Sequence, residues 1–272
     1  MPRHLVYIIM DSCRYDSCLQ ADIPHLSRLG RLEKRYSYAS WTSPSHQAIL
    51  MGLMPHTSPS GVFASEIYKH EFKRWSERLD IPGLSFRTFV PELSLPKVLK
   101  DHGYHTVARV SMPVLNPYAG FNRYFDDYIL MDHPNGFHEM VATLDFQVGY
   151  PCFYFLNLGE THYPYMLSGE DLPRISGVHG VLKALASDKA DQKAKFFSHK
   201  EMARLHKQQV RCVEHIDRWL GKLFEKAPPD TYFIVTSDHG ELFGEGGYFG
   251  HGPIMHEKCF EVPFVEGPRP HG

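Results

Sequence analysis

Carboxylate and imidazole side chains follow three apolar runs of the sequence, at the point where each run ends. Asp11 follows the first run, Glu160 and His162 follow the third, and Asp238 and His239 follow the fourth. Carboxylates suit hard divalent cations, and an imidazole shifts the preference toward Mn²⁺ or Zn²⁺. Asp11, Asp238 and His239 therefore predict a site for one divalent metal ion.

A hydroxyl group suited to attack an ester stands at the start of a predicted helix. Pro44 fits the first turn of this helix and Gly52 fits its end, which places Thr42 where free backbone N–H groups favour an anion. A cation near Thr42 would lower the pKa of its hydroxyl and withdraw charge from a phosphoryl or sulfuryl oxygen. His162 and His251 are suited to bind a nonbridging oxygen or to protonate a leaving group. Each residue alone also fits a plain role as a cap, turn or packing residue, and only the joint set favours chemistry.

The elements that would position these side chains alternate between strand and helix. Strands are predicted at 5–10, 105–110, 151–157, 231–236 and 262–265, and helices at 22–35, from Pro44 to Gly52, from Ser94 to Gly103 and at 201–224. Residues 53–93 are predicted to be irregular, and 166–200 to form a lid or surface insertion. This alternation predicts an α/β fold with a mostly parallel central sheet and helices on both faces, a three-layer sandwich. The carboxyl ends of parallel strands share one edge, so the polar clusters should converge there.

The composition narrows the classes of function. The chain has 272 residues, of which 43% are hydrophobic and 22% charged, and its net charge of −2 gives no electrostatic basis for nucleic-acid binding. Its five cysteines are odd in number and form no C-x-x-C pair, which favours reduced thiols and a cytoplasmic location. No stretch reaches the roughly 18 apolar residues of a membrane span. We expect a single domain over 1–272 that acts on a small molecule, in an oligomeric state that the sequence leaves open.

The reactive residues belong to motifs that run along most of the chain. A strand ends in Asp11, with Arg14 and Asp16 after it, and a segment of the form C/S/T-x-P-S-x follows at 42–46. The later motifs are Ser94-Leu95-Pro96-Lys97-Val98-Leu99, Gly103-Tyr104-His105-Thr106, Gly120-Phe121, Phe125-Asp126, His162-Tyr163-Pro164, Ser237-Asp238-His239-Gly240-Glu241, Gly250-His251-Gly252 and Val262-Pro263. This ordered set resembles the alkaline phosphatase/sulfatase superfamily. The resemblance implies a sulfatase-like catalytic domain that ends without the smaller C-terminal domain of many sulfatases.

The resemblance also implies roles for individual residues. The metal ligands would be Asp11, Thr42, Asp238 and His239; Thr42 would also be the nucleophile; and the transferred group or its leaving group would contact His162 and His251. Further substrate contacts are expected from Arg14, His46 and Glu160. One ion is expected, Mn²⁺ or Zn²⁺ before Mg²⁺ or Ca²⁺, and a second ion on Glu160, His162 and His251 stays an alternative.

Departures from the family pattern narrow the reaction. Sulfatases of the main type carry Cys or Ser where Thr42 stands and oxidise it to formylglycine, which threonine cannot form. The second Asp of the usual pair is Ser12, and the usual Arg after Pro-Ser is His46. We therefore expect a hydrolase or transferase of phosphate esters, diesters or phosphonates, through a phospho-threonine on Thr42. The alternatives are a sulfate-ester hydrolase without formylglycine and a catalytically decayed binding protein.

Overall fold

Ten strands form two sheets in the computed structural model, which describes residues 3–57, 61–90, 92–146, 149–167, 182–183 and 198–271. The strands are β1 His4–Met10, β2 Glu33–Tyr36, β3 His105–Val110, β4 Asp127–Leu130, β5 Cys152–Leu158, β6 Leu182–Lys183, β7 Thr231–Thr236, β8 Leu242–Phe243, β9 Tyr248–Gly250 and β10 Glu261–Pro268. The helices are α1 Tyr15–Gln20, α2 Pro24–Leu29, α3 Thr42–Leu50, α4 Ala64–Leu79, α5 Phe86–Phe89, α6 Leu95–Asp101, α7 Phe137–Thr143, α8 His199–Lys226 and α9 Glu257–Phe260. Short 3₁₀ turns lie at Pro113–Leu115, Pro117–Ala119 and Glu245–Gly247.

The large sheet has seven strands in the order β2-β10-β7-β1-β5-β3-β4. The five neighbours from β7 to β4 are parallel, and β10 is antiparallel to both β7 and β2. The small sheet contains β6, β9 and β8 in antiparallel pairs. The prediction of an α/β fold with a mostly parallel central sheet is confirmed.

Both faces of β1 are buried, as its unbroken apolar sequence predicts. Tyr7 and Ile9 pack on one face with side chains of α4 and α6, including Trp75. Val6 and Ile8 pack on the other face with α8 and its neighbours. Each face of the sheet is therefore covered by helices, and the strand ends at its carboxyl edge are held between two rigid layers.

Two sequence-based assignments were wrong in part. The predicted helix at 22–35 is the shorter α2, and the chain then turns outward into the edge strand β2. Gly30 lies between the two elements. The backbone of β10 passes so close that a Cβ atom at position 30 would lie 2.7 Å from the carbonyl oxygen of Glu266, so only glycine fits there. The region 53–93 also contains the amphipathic helix α4, with Trp75 and Leu79 in the core. Most of the lid predicted at 166–200 lies outside the described residues.

Candidate active site

The loops after β1 and β7 bring the three predicted metal ligands together. Asp11 follows β1, while Asp238 and His239 follow the adjacent strand β7, and all three side chains are completely buried. One ligand atom from each lies within 4.8 Å of the others. The convergence predicted from strand ends is therefore present in the fold.

The carboxylate of Asp238 has one satisfied oxygen and one free oxygen. Its Oδ1 accepts backbone N–H bonds from Ser12 at 3.1 Å and from His239 at 3.0 Å. Its Oδ2 is buried without a hydrogen-bond partner among the described residues. Burial raises the pKa of Asp238 well above its ordinary value, and the nearby charge of Asp11 raises it further. A buried carboxylate oxygen that accepts no hydrogen bond and lies beside a second carboxylate fits a bound cation, which would favour the ionised form of Asp238.

The ring of His239 is oriented so that one nitrogen faces the cluster. Its Nδ1 donates to the carbonyl of Gly240 at 2.9 Å, which leaves Nε2 with its lone pair. That Nε2 lies 3.3 Å from Asp238 Oδ2 and 3.9 Å from Asp11 Oδ1. Burial holds the pKa of His239 well below its ordinary value, so the ring is neutral, as a metal ligand must be. Two carboxylates and a neutral imidazole form a donor set suited to Mn²⁺ or Zn²⁺.

Thr42 is the first residue of α3 and faces the same cluster. Trp41 takes the N-cap position, so the hydroxyl of Thr42 is not used as a helix cap. Its Oγ1 lies 3.3 Å from Nε2 of His239. Asp238 is tied to the same helix, because its carbonyl accepts a 2.5 Å bond from the Ser45 hydroxyl. The four predicted ligands thus meet at one place, with Thr42 at their edge.

A cavity of about 360 Å³ opens onto Thr42. His162 and His251 lie in its wall with their ring centroids 5.0 Å apart, and His251 lies 4.3 Å from the ring of His239. Much of the remaining wall is apolar and includes Trp41, Met112, Pro113, Val114, Phe249 and Pro253. The cavity therefore places two imidazoles and an apolar surface beside the candidate nucleophile.

The two cavity histidines have different partners. Nδ1 of His162 lies 2.7 Å from the backbone carbonyl of Tyr163, which fixes its tautomer and leaves Nε2 as an acceptor. Nδ1 of His251 lies 3.1 Å from the carboxylate of Glu241. Burial would lower the pKa of His251, but the hydrogen bond and charge of Glu241 outweigh it and raise that pKa. Burial lowers the pKa of His162, and the charge of His251 lowers it further. The two imidazoles therefore differ in pKa, with His251 raised and His162 lowered.

The decisive comparison is with protein-family models. The model described as Sulfatase matches residues 3–266. The chain belongs to the Sulfatase family. Members of the Sulfatase family are hydrolases or transferases of phosphate or sulfate esters. A comparison with curated proteins finds no match.

Solved structures similar to this Sulfatase-family chain share its fold at low sequence identity. The Zn complex of the C-terminal periplasmic domain of EcEptC from Escherichia coli has a TM-score of 0.60 and 15% identity, over 98% of this chain and 73% of that one. The putative sulfatase yidJ from Bacteroides fragilis has a TM-score of 0.55 and 17% identity, over 98% and 68%. The C-terminal periplasmic domain of phosphoethanolamine transferase EptC from Campylobacter jejuni has a TM-score of 0.53 and 13% identity, over 97% of this chain and 78% of that one. These likenesses show the fold.

The residues that were predicted to contact substrate, Arg14, His46 and Glu160, are not part of the cavity lining. The guanidinium of Arg14 is paired with Asp16 and Glu245, each at 2.5 Å. His46 is completely buried, and its Nδ1 lies 2.9 Å from the carbonyl of Thr42. The geometry of both residues favours support of the site over the predicted substrate contact.

Glu160 does not line the cavity and instead contacts the start of α7. Its Oε1 accepts the backbone N–H of Phe137, the first residue of that helix, at 2.8 Å. Among the described residues, the group of side chains close enough to share an ion is Asp11, Asp238 and His239, so the structure does not assemble the alternative second site on Glu160, His162 and His251. Burial raises the pKa of Glu160 to about 7.

Asn157 is a site residue of this Sulfatase-family chain that the sequence analysis missed. Its Nδ2 donates to Asp11 Oδ2 at 2.9 Å, and its Oδ1 accepts the backbone N–H groups of Ser111 and Met112, each at 3.2 Å. A signal existed, because Asn157 is a polar residue inside an apolar strand. An amide there has to find partners, and it finds a predicted metal ligand.

Proposed function

We propose that the chain is a metal-dependent hydrolase or transferase of phosphate esters that uses Thr42 as its nucleophile. The observation that carries the proposal is the position of Thr42, whose Oγ1 lies 3.3 Å from Nε2 of His239 and which lines the cavity. A hydroxyl beside a predicted metal cluster, with two imidazoles in the same cavity, suits attack on phosphorus.

Each residue of the site has a separate role in the proposed reaction. Asp11, Asp238 and His239 would hold the divalent cation, whose chemistry is to lower the pKa of the Thr42 hydroxyl and to withdraw charge from the phosphoryl group. Thr42 Oγ1 forms the new bond to phosphorus as the bond from phosphorus to the departing alcohol breaks. The neutral imidazole of His162, which lines the same cavity as Thr42, would accept the proton of the Thr42 hydroxyl, and His251 would give a proton to the departing oxygen.

The second half of the reaction releases the phospho-threonine. Water, or an acceptor alcohol in a transferase, attacks the phosphorus and displaces Thr42. His251, now neutral, accepts the proton of the attacking group, and His162 returns a proton to Thr42. Glu241 supports this exchange because its carboxylate stabilises the cationic form of His251.

The charge of the cavity favours an ester with a single negative charge. Among the described residues that line it, none is Lys or Arg, and one wall is apolar. A phosphate monoester carries up to two charges near pH 7 and would lack cationic partners beyond the metal and the histidines. A phosphodiester or phosphonate ester carries one charge, and its second substituent fits beside Val114 and Pro253.

A sulfate ester is the second candidate, because it also carries one charge and the family model is described as Sulfatase. The descriptions of the similar structures point both ways: one names a phosphoethanolamine transferase, which supports a phosphate ester, and another names a putative sulfatase, which supports a sulfate ester. Assays of matched p-nitrophenyl esters separate the two: a phosphodiester, a phosphonate, a phosphate monoester and a sulfate. Preference for the sulfate would contradict our proposal, and no turnover of any ester would favour a binding protein.

The test of the nucleophile uses two adjacent hydroxyls of α3. Thr42→Ala should abolish turnover, whereas Thr42→Ser, which keeps a hydroxyl, should retain part of it. Ser43→Ala is the matched control, because it removes the next hydroxyl along the same helix. Acid-quenched samples of the wild type should carry phosphate on the peptide that contains Thr42. Full diesterase activity in Thr42→Ala, with metal still bound, would refute the assignment.

We also propose a cytoplasmic location. All five cysteines are buried and none forms a disulfide, which suits a reducing compartment. The similar EptC domains are described as periplasmic, which is the alternative location. As a separate finding about the fold, no described helix combines the length and apolarity that crossing a membrane requires. Fractionation of cells that express the natural gene product tests the location, and recovery outside the cytoplasm would contradict it.

A further inference from the structure

The side-chain amide of Gln209 is buried in the middle of α8 and lies against two loops of the site. Its Nε2 donates to the carbonyl of Ser12 and to the carbonyl of Thr161, each at 3.0 Å. Its Oε1 accepts the backbone N–H of Arg14 at 3.2 Å and the hydroxyl of Ser17 at 2.6 Å. An amide offers two donors and two acceptor positions, so every hydrogen-bonding position of Gln209 is used.

The two carbonyls that Gln209 holds belong to residues next to the reactive groups. Ser12 follows Asp11, and its N–H donates to Asp238 Oδ1 at 3.1 Å. Ser12 has a φ of 61°, a left-handed conformation that a non-glycine residue keeps only when its surroundings hold it there. Thr161 precedes His162, and its hydroxyl donates to the carbonyl of Asp11 at 2.8 Å. Nε2 of Gln209 therefore links the loop that carries Asp11 to the loop that carries the cavity histidine His162.

The neighbouring residue shows that burial on α8 does not by itself create these bonds. Gln208 is also buried, with 3% of its surface exposed, yet neither of its amide atoms has a hydrogen-bond partner in the part of the chain that the structure describes. Two glutamines of equal size and similar burial thus differ in whether they reach the site loops. Gln209 therefore makes these hydrogen bonds because it faces the site loops, and not merely because it is buried.

We propose that Gln209 is a positioning residue, which sets the spacing between the Asp11–Asp238 pair and His162 by fixing the carbonyls of Ser12 and Thr161. The inference rests on the proposed metal-dependent function. If these carbonyls lose their donor, Ser12 is free to leave its left-handed conformation. The Ser12 N–H then no longer holds Asp238 in the orientation that aims Oδ2 at the cluster.

The experiment measures the affinity of the full chain for Mn²⁺ and for Zn²⁺ by calorimetry. Gln209→Met removes all four hydrogen bonds at nearly constant length, and Gln208→Met is the matched control on the same helix. We expect the dissociation constant of Gln209→Met to rise by about 10- to 100-fold, the range seen when outer-shell partners of metal ligands are removed. Gln208→Met should bind both ions as the wild type does. If Gln209 has only a structural role, Gln209→Met should lower the melting temperature and leave the metal affinity unchanged.

A second variant covers the case in which Gln209→Met fails to fold. Gln209→Glu keeps an oxygen toward Arg14 and Ser17 and removes the two N–H donors, so it should also weaken metal binding. Wild-type affinity in the Gln209 variant that folds, or equal weakening in Gln208→Met, would overturn the inference. Ester turnover is measured in parallel. A wild type that binds metal but turns over no ester contradicts the proposed function and leaves the Gln209 test intact, whereas a wild type that binds neither ion contradicts both.

Discussion

Replacing Asp238 by Asn should stabilise the metal-free protein and abolish its stabilisation by metal. Oδ1 of Asp238 already has two N–H donors, which an Asn oxygen would keep. Oδ2 is buried beside the charge of Asp11 and accepts no hydrogen bond from the described residues, because the nearby Nε2 of His239, at 3.3 Å, carries a lone pair. An unsatisfied buried acceptor costs about 1–3 kcal/mol, and the cost is larger when the group is charged. We therefore expect Asp238→Asn to add about 3 kcal/mol to the free energy of unfolding in chelator, so that its melting temperature rises by about 6–12 °C.

The metal should remove this advantage. At a free metal concentration of 100 times its dissociation constant, the wild type should gain about 2.7 kcal/mol, and Asp238→Asn should gain almost nothing. Differential scanning calorimetry with chelator and with Mn²⁺ or Zn²⁺ measures both values. The two proteins should differ in chelator and approach each other in metal.

Asp217 provides a matched control for this prediction. It is buried like Asp238, but both of its oxygens accept backbone N–H groups, from His25 at 3.1 Å and Leu26 at 2.7 Å. Asp217→Asn places an amide N–H₂ against one of those donors, so it should lower the melting temperature and leave the metal effect unchanged. Our account of Asp238 is refuted if Asp238→Asn is less stable than the wild type in chelator, or if it keeps the full metal shift.

Three further predictions concern other supports of the site. Glu160 has a folded pKa of about 7 against an ordinary 4.5, so its contribution to stability is full below pH 4.5 and is lost as the pH rises through 7. Glu160→Gln should therefore exceed the wild type by about 3 kcal/mol at pH 8 and by little at pH 4, as measured by urea unfolding. Glu241→Gln should lower the pKa of His251 and move the basic limb of the pH–rate profile to lower pH, and an unmoved limb would exclude His251 as the acid. Asn157→Leu should weaken metal binding by about 10-fold or more in calorimetry, because Asp11 Oδ2 loses its donor; wild-type affinity would remove Asn157 from the site.

The sequence predicted those parts of the molecule that depend on local pattern. Unbroken apolar runs identified β1, β5 and β7, and the rule that parallel strands end at one edge predicted that Asp11 and Asp238 would meet. The edge strand β2 was missed because its residues are mostly charged, and it is a strand only through its pairing with β10. The hydrophobic pattern within one segment contains no information about a distant strand that pairs with it.

The supports of the site could not be predicted because their partners are distant in the chain. Gln209 bonds to a carbonyl 197 residues away and to another 48 residues away. On α8 it is one polar residue among many, and nothing in its neighbours separates it from Gln208. Arg14 has a similar difficulty, because its pairing with Glu245 depends on a loop 231 residues later. The reactive groups could thus be found from their types, whereas their supports required the fold.

Asn157 has a consequence for how this protein could acquire new substrates. One end of its amide donates to a predicted metal ligand, and the other end accepts the N–H of Met112, a residue of the apolar cavity wall. Selection for a larger or smaller substrate group would act on that wall. A backbone shift there would pull on the same amide that orients Asp11, so changes in specificity should carry a penalty in metal retention. Directed evolution at 112–114 should therefore recover compensating substitutions near the metal ligands, or variants that need more metal in the medium.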